Sequence, residues 1–288
     1  GNYKQEITIR HLLEHTSGIK TQNNTARILL SSNKIRHALN SSIVSKPGTK
    51  FVYNNNAVNV LSGIIEKASG QKADSFINTY LFKPLNITDY SWAEDKAGNP
   101  TAYAGLDLLP EDLAKIGLLL LHDGKWNGQQ IISKQWIKES TSSSKISEKW
   151  AYPTGFLWWC ERDIVSFKIR ESVFDSIKKI GVDTLIVSKL NKLREKEIPV
   201  NEFEPLLKHT LGHDYKYFRE ILKEYNLQLM KIILGKTIGF SAEGWLGQWL
   251  IVIPEKKIVA VRMIDLKNAK KFGNTNFYNF LRLVPKLK

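Results

Sequence analysis

Two short apolar runs near the carboxyl end of the chain constrain its fold more than any other feature. The runs cover residues 247–253 and 257–264, and the segment Pro254-Glu255-Lys256 joins them. Strand-like runs separated by a short turn predict an antiparallel hairpin. Helical patterns precede and follow this hairpin. The sequence therefore predicts an α+β fold in which helices flank an antiparallel sheet.

Helix-forming signals are clear in the first half of the chain. Thr8 is placed to cap a short helix, and Pro110 stands where a first helical residue is favoured. Apolar residues recur at helical spacing after residue 56, and Gly70 is predicted to end that helix. These elements predict a helical layer for the sheet to pack against.

Residues 161–235 show a different pattern. Helical periodicity covers residues 173–180, 187–194, 202–211 and 215–234, and glycine or proline separates these runs. We interpret this segment as an all-helical insertion. The predicted core then consists of residues 1–160 and 236–288.

Composition narrows the class of protein. The chain has 288 residues and a net charge of +14, but its basic residues are spread along the sequence and form no nucleic-acid module signature. The charge fits either a lysine-rich surface or an anionic membrane or cell-wall polymer, and its dispersal favours the surface. The single Cys160 excludes an internal disulfide and a cysteine zinc cluster. The sequence predicts no metal, no other cofactor and no nucleic-acid partner, and leaves the oligomeric state open.

The segment Tyr53-Asn54-Asn55 lies where an extended stretch passes into a helical pattern. Taken alone, it has a structural explanation, because asparagine commonly caps helices and a tyrosine can bury its ring while its hydroxyl stays wet. It also has a functional explanation, since a turn between two elements can fix two polar side chains on the wall of a cleft.

Five segments, taken together, favour the functional explanation. Residues 7–19, 47–70, 105–137, 155–159 and 239–261 follow one another in an order that resembles the serine β-lactamase-like superfamily. That superfamily includes class C β-lactamases, low-molecular-weight penicillin-binding proteins, D-aminopeptidases and related esterases. The resemblance implies a β-lactamase/transpeptidase-like fold and a serine hydrolase that forms an acyl-enzyme on a small amide or ester. It also implies that the complete protein is exported, either periplasmic or membrane-anchored.

The resemblance assigns roles to particular residues. Tyr53 and Asn55 match a Y-x-N motif, in which the phenol transfers protons and the amide positions substrate and nucleophile. Ala242, Glu243 and Gly244 match a third motif whose strand backbone supplies an oxyanion donor. Relatives usually have Lys or His where this chain has Ala242, so recognition of a substrate carboxylate is in doubt. Trp158 is a candidate for the cleft wall, although Trp158 and Trp159 could equally be aromatic core.

The nucleophile is the missing part of the pattern. In the family, S-x-x-K lies before the segment that matches residues 7–19, and only six residues precede Ile7 here. The chain contains S-x-x-K at residues 17–20, 31–34, 69–72, 142–145 and 176–179, but none lies at the expected place. We therefore expect a truncated chain that lacks its nucleophile segment and is inactive alone.

Two further hypotheses stay open. The chain could be a catalytically silent domain that binds a ligand or partner on the same fold, which the missing S-x-x-K and Ala242 both favour. Alternatively, residues 161–235 could be the working part, as a docking surface or a lid.

Overall fold

The computed structural model of the chain describes residues 3–21, 25–149, 153–265, 280 and 283–287. The chain divides into two compact units, which we call the core unit (Gly1–Glu161 and Ile238–Lys288) and the second unit (Arg162–Thr237). Helices and antiparallel strands both contribute to the described structure. The predicted α+β class is confirmed.

Eight α-helices are described in the core unit. They are α1 (Ile9–Leu13), α2 (Thr25–Leu29), α3 (Lys34–Asn40), α4 (Asn55–Val58), α5 (Val60–Ser69), α6 (Ala73–Ile77), α7 (Pro110–Leu121) and α8 (Lys134–Ser140). A π-helical turn, Asn78–Phe82, continues α6.

Local sequence signals set the ends of these helices. The Thr8 side chain accepts a hydrogen bond from the His11 N–H, and the His11 ring nitrogen accepts one from the Thr8 N–H. The two residues therefore form a capping box. Gly70 ends α5 in the left-handed conformation, which glycine adopts without strain. Pro110 begins α7 at a position where no N–H is needed.

The main sheet follows the order β6-β5-β7-β8-β9. Its strands are β5 (Trp159–Ile169), β6 (Ile198–Pro199), β7 (Met230–Gly244), β8 (Gln248–Ile253) and β9 (Ile258–Arg262). The predicted hairpin is β8 and β9, which pair antiparallel with Trp249 opposite Arg262. The strand that ends at Gly244, however, is not an edge strand, because β7 has β5 on one side and β8 on the other.

The two faces of this sheet have separate apolar contacts in the core unit. Phe240, Leu250 and Val252 belong to a cluster with Leu120 of α7 and Ile137 of α8. The alternate residues of β8, namely Trp249, Ile251 and Ile253, pack with Val284. This alternation is what the two-residue period of a strand requires.

Two small hairpins complete the core unit. Strands β1 (Tyr90–Trp92) and β2 (Leu106–Leu108) pair antiparallel, as do β3 (Lys125–Trp126) and β4 (Gln129–Gln130). The second hairpin turns at Asn127 and Gly128, both with positive φ. The asparagine-glycine pair suits such a turn.

The second unit has four helices and its own apolar core. The helices are α9 (Glu171–Lys179), α10 (Thr184–Asn191), α11 (Val200–Leu211) and α12 (Tyr215–Glu224). Phe174, Leu190, Leu207 and Phe218 are among its fully buried residues. The prediction of an all-helical segment is wrong, because most of β5 and β7 and all of β6 lie in this unit.

The predicted helix over residues 215–234 is also wrong in its second half. Helix α12 ends at Glu224, and Asn226 takes a positive φ that terminates it. Strand β7 then begins at Met230, where two adjacent isoleucines favour extended backbone. The apolar residues of 227–234 match helical spacing by chance, because a strand rich in apolar residues also fits that pattern.

The described ranges contain neither a candidate membrane-spanning helix nor a candidate metal site. No helix there is long and apolar enough to span a bilayer. No group of three or more His, Cys, Asp or Glu side chains is arranged to hold a metal ion in that same part of the chain.

Candidate active site

Tyr53 lies in an extended segment just before α4, and hydrogen bonds to the preceding segment fix it there. The N–H groups of Val52 and Asn54 donate to the carbonyl and to Nδ1 of His15, at 2.9 and 3.2 Å. The Asn54 amide donates to the Ile19 carbonyl at 2.6 Å, and its oxygen accepts from the Ala57 N–H at 3.1 Å. Asn54 is therefore the helix cap and the anchor of this turn.

Aromatic rings surround the Tyr53 side chain. The His15 ring centroid is 4.7 Å from that of Tyr53, and the Trp159 ring stacks on Tyr53 at 6.0 Å with an interplanar angle of 17°. Tyr53 itself keeps 49% of its surface exposed. The ring is thus fixed by its neighbours while part of the phenol faces solvent.

The end of β7 presents alternate residues to opposite faces of the sheet. Ala242 packs against the apolar cluster that contains Phe240 and Leu250. Ser241 and Glu243 pair with Ile251 and Trp249 and belong to the other face. Of the third motif, therefore, Glu243 and not Ala242 has its side chain on the Tyr53 side.

The same alternation separates the two tryptophans. The ring of Trp158 meets Phe240 edge to face at 5.4 Å, on the core side, whereas Trp159 contacts Tyr53. The structure thus places Trp158 in the aromatic core and Trp159 beside Tyr53, because a shift of one residue in a strand reverses the face.

Two carboxyl groups occupy the site face. Glu161 accepts a hydrogen bond from the Ser241 hydroxyl. Burial raises the pKa of Glu161, the Ser241 bond opposes that rise, and the charge of Glu243 adds to it. Burial also raises the pKa of Glu243. Two carboxyl groups, Glu161 and Glu243, thus lie on the face of the sheet that Tyr53 contacts.

The Tyr53 phenol responds to this environment. Burial first, and the negative charge of Glu243 second, raise the pKa of Tyr53 above its ordinary value of about 10. This coupling places Glu243 within electrostatic range of the phenol. It also means that, with only the described residues around it, Tyr53 is protonated at neutral pH.

Asn55 is the first residue of α4 and is partly exposed. Its carbonyl accepts a hydrogen bond from the Asn59 amide at 3.2 Å. Within the described residues its side chain forms no hydrogen bond, so the amide is available to a ligand. Gly244 is the exposed last residue of β7 and pairs with Gln248.

Four contributors to this site were not predicted from the sequence: His15, Trp159, Glu161 and Ser241. His15 lies just after the end of α1 and has a positive φ of 55°. Its additional contact with Tyr53 depends on tertiary structure. The strand alternation of residues 159–161 and 241–243 was the signal that could have found the other three.

Residues of the first two S-x-x-K strings have structural contacts. Ser17 is buried, and its hydroxyl accepts from the Ile19 N–H at 3.4 Å, as expected for a turn residue. Gly18, with φ of 72°, interrupts any helix that would align Ser17 with Lys20. Lys34 of the second string is buried and donates to the Thr101 hydroxyl at 2.9 Å.

Comparisons with known proteins agree with this architecture. A family model described as Beta-lactamase matches residues 1–281. An uncharacterized protein of Alkalihalophilus pseudofirmus is 26% identical over 215 residues, covering 65% of this chain and 59% of that protein. The 6-aminohexanoate-dimer hydrolase of Paenarthrobacter ureafaciens is 26% identical over 123 residues, covering 38% of this chain and 31% of the enzyme.

A solved structure shows the same fold. A Bacillus anthracis protein, assigned as a 6-aminohexanoate-dimer hydrolase, superposes with a TM-score of 0.60 at 17% identity. The match covers 97% of this chain and 62% of that protein. The present chain thus spans less than two thirds of the length of these relatives.

Proposed function

Because the chain belongs to the β-lactamase family, we propose that it is the larger part of a serine hydrolase that acts by acyl transfer on a small amide or ester. The observation that carries this proposal is the juxtaposition in the core unit of Tyr53 and the end of β7. Trp159 stacks on Tyr53, and Glu243 acts on the phenol electrostatically. A Y-x-N turn facing a strand end is the arrangement that this chemistry uses.

In this mechanism Tyr53 transfers the proton. A protonated phenol can donate to a leaving group, but it can accept a proton from a serine only if a cation lowers its pKa. Among the described residues, burial and Glu243 act in the opposite direction. We therefore assign the cation to the lysine of an S-x-x-K segment outside residues 1–288.

The remaining roles follow from position. The free amide of Asn55 would hold the substrate carbonyl or the nucleophile pair, next to Tyr53 on the same turn. The backbone at Gly244 would donate one hydrogen bond to the oxyanion, and the N–H of the nucleophile would donate the other. An amide of 6-aminohexanoate, the compound named in two relatives, is one candidate substrate.

Acylation by a fluorophosphonate or a β-lactam, followed by intact mass measurement, tests this proposal. Residues 1–288 alone should give no adduct. A product extended upstream with its own coding sequence should give one adduct, and the modified serine should map to the added segment.

Two results would contradict the proposal. An adduct on Ser17 in the present chain would place the nucleophile inside it. An extended product that contains S-x-x-K and binds neither reagent would exclude acyl transfer by this site.

A second candidate function is a catalytically silent domain that binds a ligand on the same fold. The environment of Tyr53 favours it, since burial and, second, the charge of Glu243 keep the phenol protonated. A silent domain would bind small amides with the same affinity whether or not Tyr53 carries its hydroxyl.

We further propose that the complete protein works outside the cytoplasm, near a membrane or the cell wall, on the strength of the family resemblance alone. The second unit, Arg162–Thr237, is proposed as an insertion that shapes substrate range or partner binding. Deleting it should change one of these properties and leave the Tyr53 site folded. Loss of stability alone would contradict such a role.

A further inference from the structure

The side chain on the Tyr53 face of the third motif is a carboxylate, and this determines which charges the cleft accepts. We propose that Glu243 is a specificity-determining residue, which favours an amide or ester that carries an ammonium group and disfavours one that carries a carboxylate. The inference rests on the proposed function for the identity of the cleft, but it concerns binding and not turnover.

The register of β7 puts Glu243 on the sheet face that Tyr53 contacts through Trp159. Strand β7 ends at Gly244, and alternation places Ser241 and Glu243 on the face opposite to Ala242. Glu243 is solvent-exposed and is coupled to the Tyr53 phenol. A ligand that contacts Tyr53 from solvent therefore meets the field of this carboxylate.

Neighbouring groups reinforce the negative field. Glu161 lies on the same face, bound to the hydroxyl of Ser241. Arg262 is also on this face but is separated from Glu243 by β8, and its guanidinium donates to the Gly247 carbonyl at 2.5 Å. The exposed ring of Tyr53 adds an attraction for a cation placed over its free face.

The charge preference should appear as a measurable difference in binding affinity. A unit charge a few ångströms from a partly exposed carboxylate interacts with an energy that corresponds to about tenfold in affinity. A carboxylate ligand suffers the same effect with the opposite sign, which is the repulsive half of specificity. Both effects should weaken with added salt, since Glu243 faces solvent.

Three matched ligands test the inference on the chain as it exists: hexanamide, its ω-amino analogue and its ω-carboxyl analogue. Titration calorimetry or ligand-observed NMR should give the order ammonium, neutral, carboxylate from tightest to weakest, with about tenfold between successive ligands at low salt. Glu243→Gln should bring the three affinities together. Glu66→Gln, at an exposed position on α5, is the matched control and should retain the order.

Several outcomes would overturn the inference: equal affinities in the unmodified chain, no binding of any probe, or an unchanged order in Glu243→Gln. If that variant folds poorly, Glu243→Ser provides a second neutral side chain under the same criteria. Failure of the acyl-transfer proposal would look different, because the extended product would then give no adduct while the charge order in binding persisted.

Discussion

The ring of Trp159 lies over the ring of Tyr53, with planes 17° apart and centroids separated by 6.0 Å. The two residues come from the turn before α4 and from the first residue of β5. Their stacking fixes the phenol against the sheet while its hydroxyl stays available. This contact holds the ring in place, and under the proposed function the hydroxyl is the group that transfers protons.

Removing that hydroxyl should affect chemistry and leave the fold intact. In the upstream-extended product, Tyr53→Phe should slow acylation by about 10²–10⁴-fold, the usual contribution of a positioned proton-transfer group. The free energy of unfolding should change by less than about 0.5 kcal/mol, because the ring contacts remain. Tyr80→Phe, a similarly exposed tyrosine (55%), is the control and should acylate normally.

Removing the charge of Glu243 should change the titration of Tyr53. Glu243→Gln should lower the Tyr53 pKa, but not to its ordinary value, because burial still opposes the phenolate. Ultraviolet absorbance of tyrosinate, taken as the difference from the same protein with Tyr53→Phe, isolates this group. An unchanged titration curve would show that Glu243 does not act on Tyr53, and charge selection by Glu243 would then fail as well.

His15 should make stability depend on pH. Burial lowers the pKa of His15 to about 4, against about 6.5 in the unfolded chain. The folded chain favours the neutral form of the His15 ring. The folded state therefore has its full stability above about pH 6.5 and loses stability as the pH falls from about 6.5 to about 4. The total loss corresponds to about 3 kcal/mol.

Urea unfolding across this pH window measures the effect. The control is His15→Asn, because asparagine tolerates the positive φ of residue 15 and has no titrating group. The variant should lose the extra acid sensitivity. Parallel pH profiles of the two proteins would contradict the assignment.

Gly117 should resist substitution because α7 approaches the sheet closely there. A Cβ at Gly117 would lie 2.5 Å from Cγ1 of Val259 and 2.8 Å from Cδ1 of Leu250. Gly117→Ala should therefore cost about 1–3 kcal/mol from overpacking, less about 1 kcal/mol gained in helix propensity.

Gly63→Ala on α5 provides the comparison. Its Cβ would meet only the side chain of Ile35, at 3.1 Å from Cδ1 and 3.3 Å from Cγ2, and neither distance is below 3.0 Å. Thermal unfolding should find Gly63→Ala at least as stable as the unmodified protein, because it also gains about 1 kcal/mol in helix propensity, and Gly117→Ala less stable than Gly63→Ala. Equal stabilities would mean that the α7 packing is looser than the structure shows.

Cys160 should be chemically inert in the folded chain. Burial raises the pKa of its thiol to about 11, and its sulfur lies 3.4 Å from the Thr141 carbonyl that accepts its hydrogen bond. Because the thiolate is the reactive species, iodoacetamide should modify the folded protein far more slowly than the urea-unfolded protein. As the chain has a single cysteine, mass measurement reports this site alone. Equal rates would contradict its burial.

The parts that the sequence could predict were those set by local signals. The Thr8 cap, the Pro110 helix start and the hairpin of β8 and β9 depend on residues close together in the chain. Tyr53 could be selected because its motif is local, but the direction of its pKa shift could not. That shift depends on Glu243, which is distant in sequence.

The predictions that differ from the structure concern which residues form strands and which face of the sheet a side chain occupies. Residues 227–234 are apolar enough to fit helix or strand, and only the stop at Asn226 distinguishes them. The choice between Trp158 and Trp159 depends on one residue of register, which pairing with other strands decides. Ala242 fell on the core face for the same reason.

The amide of Asn54 has a consequence for any mutational survey of this protein. One side chain joins the Ile19 carbonyl to the first turn of α4, and it is buried beside a neighbour that faces the cleft. Asn54→Ala would remove the hydrogen bonds that hold the turn carrying Tyr53. Activity would then be lost because the phenol is no longer held in position. A scan that measures only turnover would count Asn54 among the catalytic residues. Only a parallel measurement of folding would show that its role is structural.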